Sequence, residues 1–67
     1  SMAMDETEFE GTLVLEKLAE IELVDEFFEA IDADDVPRVV SLMRRAKVDP
    51  ETIEIVAKKI EAADGTH

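Results

Sequence analysis

A long apolar pattern between Leu13 and about Ile31 predicts the first helix, because strong helix formers fill this stretch and no proline or glycine interrupts it. Thr12 stands directly before the pattern and is a typical N-cap. Apolar side chains cover most of the circumference of such a helix, so it needs packing partners on more than one side. Its polar surface is an acidic wedge formed by Glu22, Asp25, Glu26 and Glu29.

The second helix is predicted to run from Val36 to about Ala46. Asp34 or Asp35 should cap it, and Pro37 falls in its first turn, where a missing N–H breaks no hydrogen bond. Its apolar residues recur at the spacing of one buried helix face: Val36, Val39, Val40, Met43 and Ala46.

The third helix is predicted from Pro50 to about Ala63, with Asp49 as N-cap and Gly65 as its stop. The fold class is therefore all-α, a small three-helix bundle in which a long helix 1 is followed by a two-helix hairpin over residues 12–64. We expect residues 1–11 to form an acidic flexible arm that begins with an expression scar, Ser1-Met2-Ala3, and residues 65–67 to form a tail.

The length of 67 residues limits the stability of this bundle. A chain of this size buries only about 60% of its unfolded surface. Small domains usually add disulfides, a metal or oligomerisation, but this chain has no cysteine and a single histidine, His67. We therefore expect oligomerisation to complete the bundle, at least as a homodimer built on helix 1.

Charge is distributed unevenly along the chain. The formal net charge is −11, and residues 1–35 hold thirteen acids but only one cation, Lys17. Residues 36–60 hold six cations and three acids and are mildly basic. The negative total argues against direct binding to nucleic acid or to an anionic membrane, because both carry charge of the same sign.

The sequence indicates no catalytic, cofactor or metal site. A calcium loop that began at Asp32 would need glycine at its sixth and glutamate at its twelfth position, where Pro37 and Met43 stand. The many carboxylates lie on a solvated helix face, whereas acid–base catalysis needs a pair held in a cleft. We expect the protein not to be an enzyme.

Phe27 and Phe28 are adjacent, so on a helix their side chains point about 100° apart. Either a wide helix face takes both rings into one bundle, or one ring meets a partner. The predicted apolar contact surface on helix 1 is Leu15, Leu23, Phe27 and Phe28.

Two functions are consistent with these patterns. The first is a non-enzymatic helical module for protein–protein interaction or oligomerisation, an adaptor or assembly protein whose partner is another protein or a second copy. The alternative is a small acidic inhibitor of the phage or antitoxin type, which would mimic nucleic acid with Glu22, Asp25, Glu26 and Glu29 and block a nucleic-acid-binding protein. The acids can also be a solubility or high-salt adaptation.

We expect a cytoplasmic location. The sequence has neither the basic and apolar run of a signal peptide nor the roughly 18 consecutive apolar residues of a membrane span.

Overall fold

The computed structural model describes residues 12–64, with side chains as far as residue 62. Four helices form in this part of the chain, α1 (Leu13–Glu20), α2 (Val24–Asp32), α3 (Val36–Arg45) and α4 (Pro50–Asp64). The all-helical fold is thereby confirmed for the described residues. The predicted arm (1–11) and tail (65–67), with the Gly65 stop, lie outside them.

The prediction of one long first helix was wrong, because the chain turns at Ile21–Leu23 and divides it into α1 and α2. The reason lies in the direction of the apolar side chains. Leu18 and Phe27 are both fully buried, yet on one straight helix they would lie about two and a half turns apart and point to opposite sides. The turn brings both side chains into the same core, so the domain has four helices where three were predicted.

The first three helices all end in the same way, with a residue in the left-handed conformation. Glu22, Asp34 and Lys47 have φ values of 57°, 55° and 63°. In each case the next residue donates its backbone N–H to a carbonyl in the last turn, which is the Schellman motif. These bonds are Leu23 N to Leu18 O (2.9 Å), Asp35 N to Ala30 O (2.9 Å) and Val48 N to Met43 O (3.0 Å).

Both aspartate N-caps are confirmed. The Asp35 carboxylate accepts from the Arg38 N–H at 3.3 Å, and the Asp49 carboxylate accepts from the Thr52 N–H at 2.9 Å. Thr12 caps α1 as predicted. These starts follow from local chemistry, since each cap satisfies a backbone donor that the first helical turn leaves without a partner.

One hydrophobic core joins the four helices. α3 packs against α2 and α4, and α1 packs against α2 and α3. The largest fully buried side chains come from every helix: Leu18, Phe27, Ile31, Val39, Met43 and Ile60.

Candidate interaction surfaces

The apolar contact surface predicted on the first helix is divided by the turn between α1 and α2. Leu15 lies on α1, Leu23 lies in the turn, and Phe28 lies on α2; all three are half-buried and pack against the core. Each therefore keeps only part of its surface for a partner.

Phe27 and Phe28 take different environments. Phe27 is 0% exposed, whereas Phe28 is half-buried, and their ring centroids are 5.9 Å apart at an angle of 54°. Phe27 is thus a core residue, because a partner could reach its ring only if the core opened. Of the two predicted aromatic contacts, Phe28 alone has surface to offer.

The four acids predicted as one helix face do not share a helix. Glu22 lies in the turn after α1, while Asp25, Glu26 and Glu29 lie on α2. Asp25 and Glu29 are exposed, but Glu26 is half-buried, and its Oε2 is shielded from solvent without a hydrogen-bond partner among the described residues. The acids therefore form a broken surface along the α1–α2 junction.

Three large apolar side chains are exposed outright in the described part of the chain. Leu13 is 61% exposed at the start of α1, Ile55 is 51% exposed on α4, and Ile21 is 42% exposed in the α1–α2 turn. Single exposed apolar residues are common on protein surfaces. They mark a binding site only where they adjoin a larger apolar surface.

None of these three side chains lines the groove of about 500 Å³ that lies between α3 and α4. Val40, Val48 and Ile53 form its floor. Val48 and Ile53 are each 7% exposed, while Val40 is half-buried and accessible from the groove. Pro50 also lines this groove, and polar and apolar surface contribute to its lining in similar amounts.

Two charged side chains stand at the edges of the α3–α4 groove. Arg44 is exposed on α3, and Glu54 is exposed on α4. The Glu54 carboxylate lies 3.7 Å from the Lys58 ammonium group, whereas no described carboxylate lies within salt-bridge distance of Arg44. Arg44 is therefore the charged group of the groove lining that has no salt-bridge partner among the described residues.

A smaller cleft lies on the other side of the α4 N-terminus. Leu13, Val14 and Lys17 of α1 line it together with Val48, Asp49 and Thr52, so Val48 borders both the cleft and the groove. The Lys17 ammonium group donates to the Lys47 carbonyl at 3.0 Å, which ties α1 to the turn before α4. A cation at this position also suits the negative end of the α3 dipole.

The pKa of Asp49 is lowered by its hydrogen bonds at the start of α4. The Thr52 backbone N–H and then its hydroxyl, which donates at 2.8 Å, lower the pKa of the Asp49 carboxyl below its ordinary value of 3.8. The cause is helix capping, since both donors belong to the first turn of α4. Asp49 is therefore a structural carboxylate.

Within residues 12–64, no group of three or more histidine, cysteine or acidic side chains is placed to hold a metal ion. None of the described helices combines the length and the apolar character that a membrane crossing requires.

Sequence reasoning missed the α3–α4 groove. The helical spacing predicts Val40 on the buried face of its helix, and Val48 falls between the two predicted helices, which end at about Ala46 and begin at Pro50. The groove depends on how α3 and α4 pack across a tertiary contact, and no local spacing in the sequence encodes that arrangement.

No family model, curated protein or solved structure matches the chain.

Proposed function

We propose that this protein is a non-enzymatic helical interaction module that binds a segment of a partner protein in the α3–α4 groove. The observation that supports this proposal is the groove itself, with its apolar floor of Val40, Val48 and Ile53 and the uncompensated charge of Arg44 at its edge. An amphipathic segment is a common occupant of such a groove.

A matched pair of variants on α3 tests the groove. Val40→Lys places a charge on the floor, whereas Ser41→Lys adds the same charge at the neighbouring exposed position. Each protein is immobilised and exposed to an extract of the native source. The wild type and Ser41→Lys should capture the same partner, and Val40→Lys should not capture it. Circular dichroism should show that both variants are folded. A folded Val40→Lys that binds the partner as tightly as the wild type would remove the groove from the proposal.

We also propose that the module self-associates through the α1–α2 surface of Leu15, Leu23 and Phe28. The support is that these side chains are half-buried and that Ile21, in the same turn as Leu23, is exposed, in a domain too small to bury much surface alone. Light scattering should give at least a dimer for the wild type.

Phe28→Lys, compared with Glu29→Lys at the next exposed position, tests the self-association. Phe28→Lys should yield folded monomers, while Glu29→Lys should remain assembled. Phe27→Asp is unsuitable because a charge in the fully buried site of Phe27 would unfold the domain. A monomeric wild type at micromolar concentration would end this part of the proposal.

The second candidate is an acidic inhibitor that occupies the nucleic-acid site of another protein. Its support is that Glu22, Asp25 and Glu29 are exposed, and the described part of α1 and α2 has no salt bridge that neutralises them.

Ionic strength separates the two candidates. Binding by the acids should weaken steeply as the Debye length falls from about 30 Å at 0.01 M to about 8 Å at 0.15 M salt, whereas apolar binding in the groove should change little. Charge reversal of Glu22, Asp25, Glu26 and Glu29 should abolish inhibition and leave groove binding intact.

A further inference from the structure

We propose that residues 4–11 of this chain bind in its own α3–α4 groove, with Phe9 against the apolar floor. The contact would make an internal competitor for the proposed partner. It uses the same groove as the proposed function but does not rest on it, because intramolecular binding can be measured without any partner.

The first argument is the chemistry of the segment. Its sequence, Met-Asp-Glu-Thr-Glu-Phe-Glu-Gly, contains two apolar side chains, Met4 and Phe9, among four acids and no cation. The groove offers the complement, an apolar floor beside an arginine that no described carboxylate neutralises. Glu8 and Glu10 flank Phe9, so either carboxylate is placed to meet Arg44 when the ring is on the floor.

The second argument is where the segment joins the described structure. α1 begins at Leu13, and Leu13 lines the small cleft that shares Val48 with the groove. Lys17 holds this end of α1 against the turn that leads into α4. The segment is therefore attached at the cleft, which borders the groove through Val48.

The third argument is reach. An extended chain spans about 3.3 Å per residue, so Phe9 can lie up to about 13 Å from Leu13. A segment attached this closely has an effective concentration on the order of millimolar. A contact as small as one aromatic ring and one ion pair is then sufficient to populate the bound state, although it would be too weak between separate molecules.

A nitroxide spin label provides the test, because the chain has no cysteine and Thr7→Cys creates a single attachment site. The label is placed on the full chain, and the methyl signals of Val40 and Ile53 are followed by NMR at low ionic strength. We expect strong broadening of both signals. Phe9→Ala should relieve it, as should Arg44→Glu, whereas Arg45→Glu, at the next exposed position of α3, should not.

Each other outcome overturns the proposal. Broadening that persists in Phe9→Ala would reflect only the short connection, and the absence of broadening would place the segment elsewhere. A mixture of spin-labelled chains and isotope-enriched chains without the spin label distinguishes contact within one chain from contact between two copies. Broadening in that mixture would mean that the segment of a second copy fills the groove.

Discussion

The backbone at Glu22, Asp34 and Lys47 carries a conformational cost. Each has a positive φ at the end of a helix, where glycine is the usual residue. A side chain in the left-handed region costs about 1–2 kcal/mol, although aspartate tolerates it better than most residues. The cost is most evident at Glu22 and Lys47. The glutamate at position 22 explains why the α1–α2 turn could not be predicted from the sequence, since glutamate ordinarily favours a helix interior.

Replacing Glu22 with glycine should therefore stabilise the domain. Removal of the Cβ relieves the left-handed strain, and the added entropy of the unfolded chain offsets part of the gain, which leaves about 0.5–1 kcal/mol. For a domain of this size that gain raises the melting temperature by several degrees, since about 1 kcal/mol corresponds to roughly 4–8 °C. Calorimetry measures the shift directly.

Glu20→Gly is the matched control, because Glu20 is an exposed glutamate in the last turn of α1. Glycine there should destabilise the domain by about 0.5–1 kcal/mol, because glycine loses more backbone entropy on folding and a residue with helical φ has no left-handed strain to relieve. If both variants lost stability equally, Glu22 would be a helical residue, and the left-handed conformation assigned to it would be contradicted.

The Asp49 cap predicts a pH dependence with a definite sign. The folded state lowers the pKa of this carboxyl below 3.8, so its stabilising effect is present above that pH and is lost as the pH falls through the lowered value. Asp49→Asn keeps a capping oxygen without a titrating group. The difference in urea midpoint between wild type and Asp49→Asn should favour the wild type near neutral pH and shrink below about pH 4. A difference independent of pH would contradict this assignment.

At the scale of elements, the starts of α3 and α4 could be predicted because they are encoded locally. Asp35 and Pro37 sit at the beginning of one helix, and Asp49 and Pro50 sit at the beginning of the other. The break between α1 and α2 has no such local signal. It follows from a requirement of the tertiary structure, that Leu18 and Phe27 enter one core although a straight helix would point them apart.

That break also changes how the apolar circumference of residues 13–31 is interpreted. The sequence suggested surplus apolar surface that needed a partner. In the structure, Phe27, Ala30 and Ile31 of α2 enter the same core as α1, so the chain covers much of that surface itself. The α3–α4 groove could not be predicted for the complementary reason, since it is the space that remains after the core has formed.

Adjacent α2 residues should therefore differ in their contribution to stability. Phe27→Ala removes a fully buried ring and should cost about 3–5 kcal/mol. Half-buried Phe28→Ala should cost only about 1 kcal/mol. A domain of this size has about 3–5 kcal/mol in total, so Phe27→Leu provides a milder second measurement. If Phe28→Ala lowered the urea midpoint more than Phe27→Ala, Phe28 would be the core residue, which would contradict the burial of Phe27.

At the scale of the whole molecule, charge and packing have separate distributions. The core is shared by all four helices, whereas nine of the described acids lie in residues 12–35 with Lys17 as their single cation. Arg44 and Arg45 lie in the last turn of α3, where they suit the helix dipole. The fold is therefore stabilised by apolar burial against a net repulsion among carboxylates, and ion pairing contributes little.

This balance predicts that added salt stabilises the protein. Repulsion within a chain of net charge −11 is screened as ionic strength rises, because the Debye length falls from about 30 Å at 0.01 M to about 8 Å at 0.15 M. Little attraction is lost in return, since Lys58–Glu54 is the one salt bridge among the described residues and both side chains are exposed. The urea midpoint should therefore increase with sodium chloride.

Glu29→Lys should raise the midpoint at low salt and reduce its dependence on salt, because it replaces a repelling charge at an exposed position of α2. Arg45→Glu, the opposite change on α3, should lower the midpoint and steepen the dependence. Urea is the right denaturant, because guanidinium chloride would itself screen the charges. A midpoint that falls with salt would mean that attractive pairs outweigh repulsion, and the acids of α1 and α2 would then have partners within the fold instead of being available to another protein.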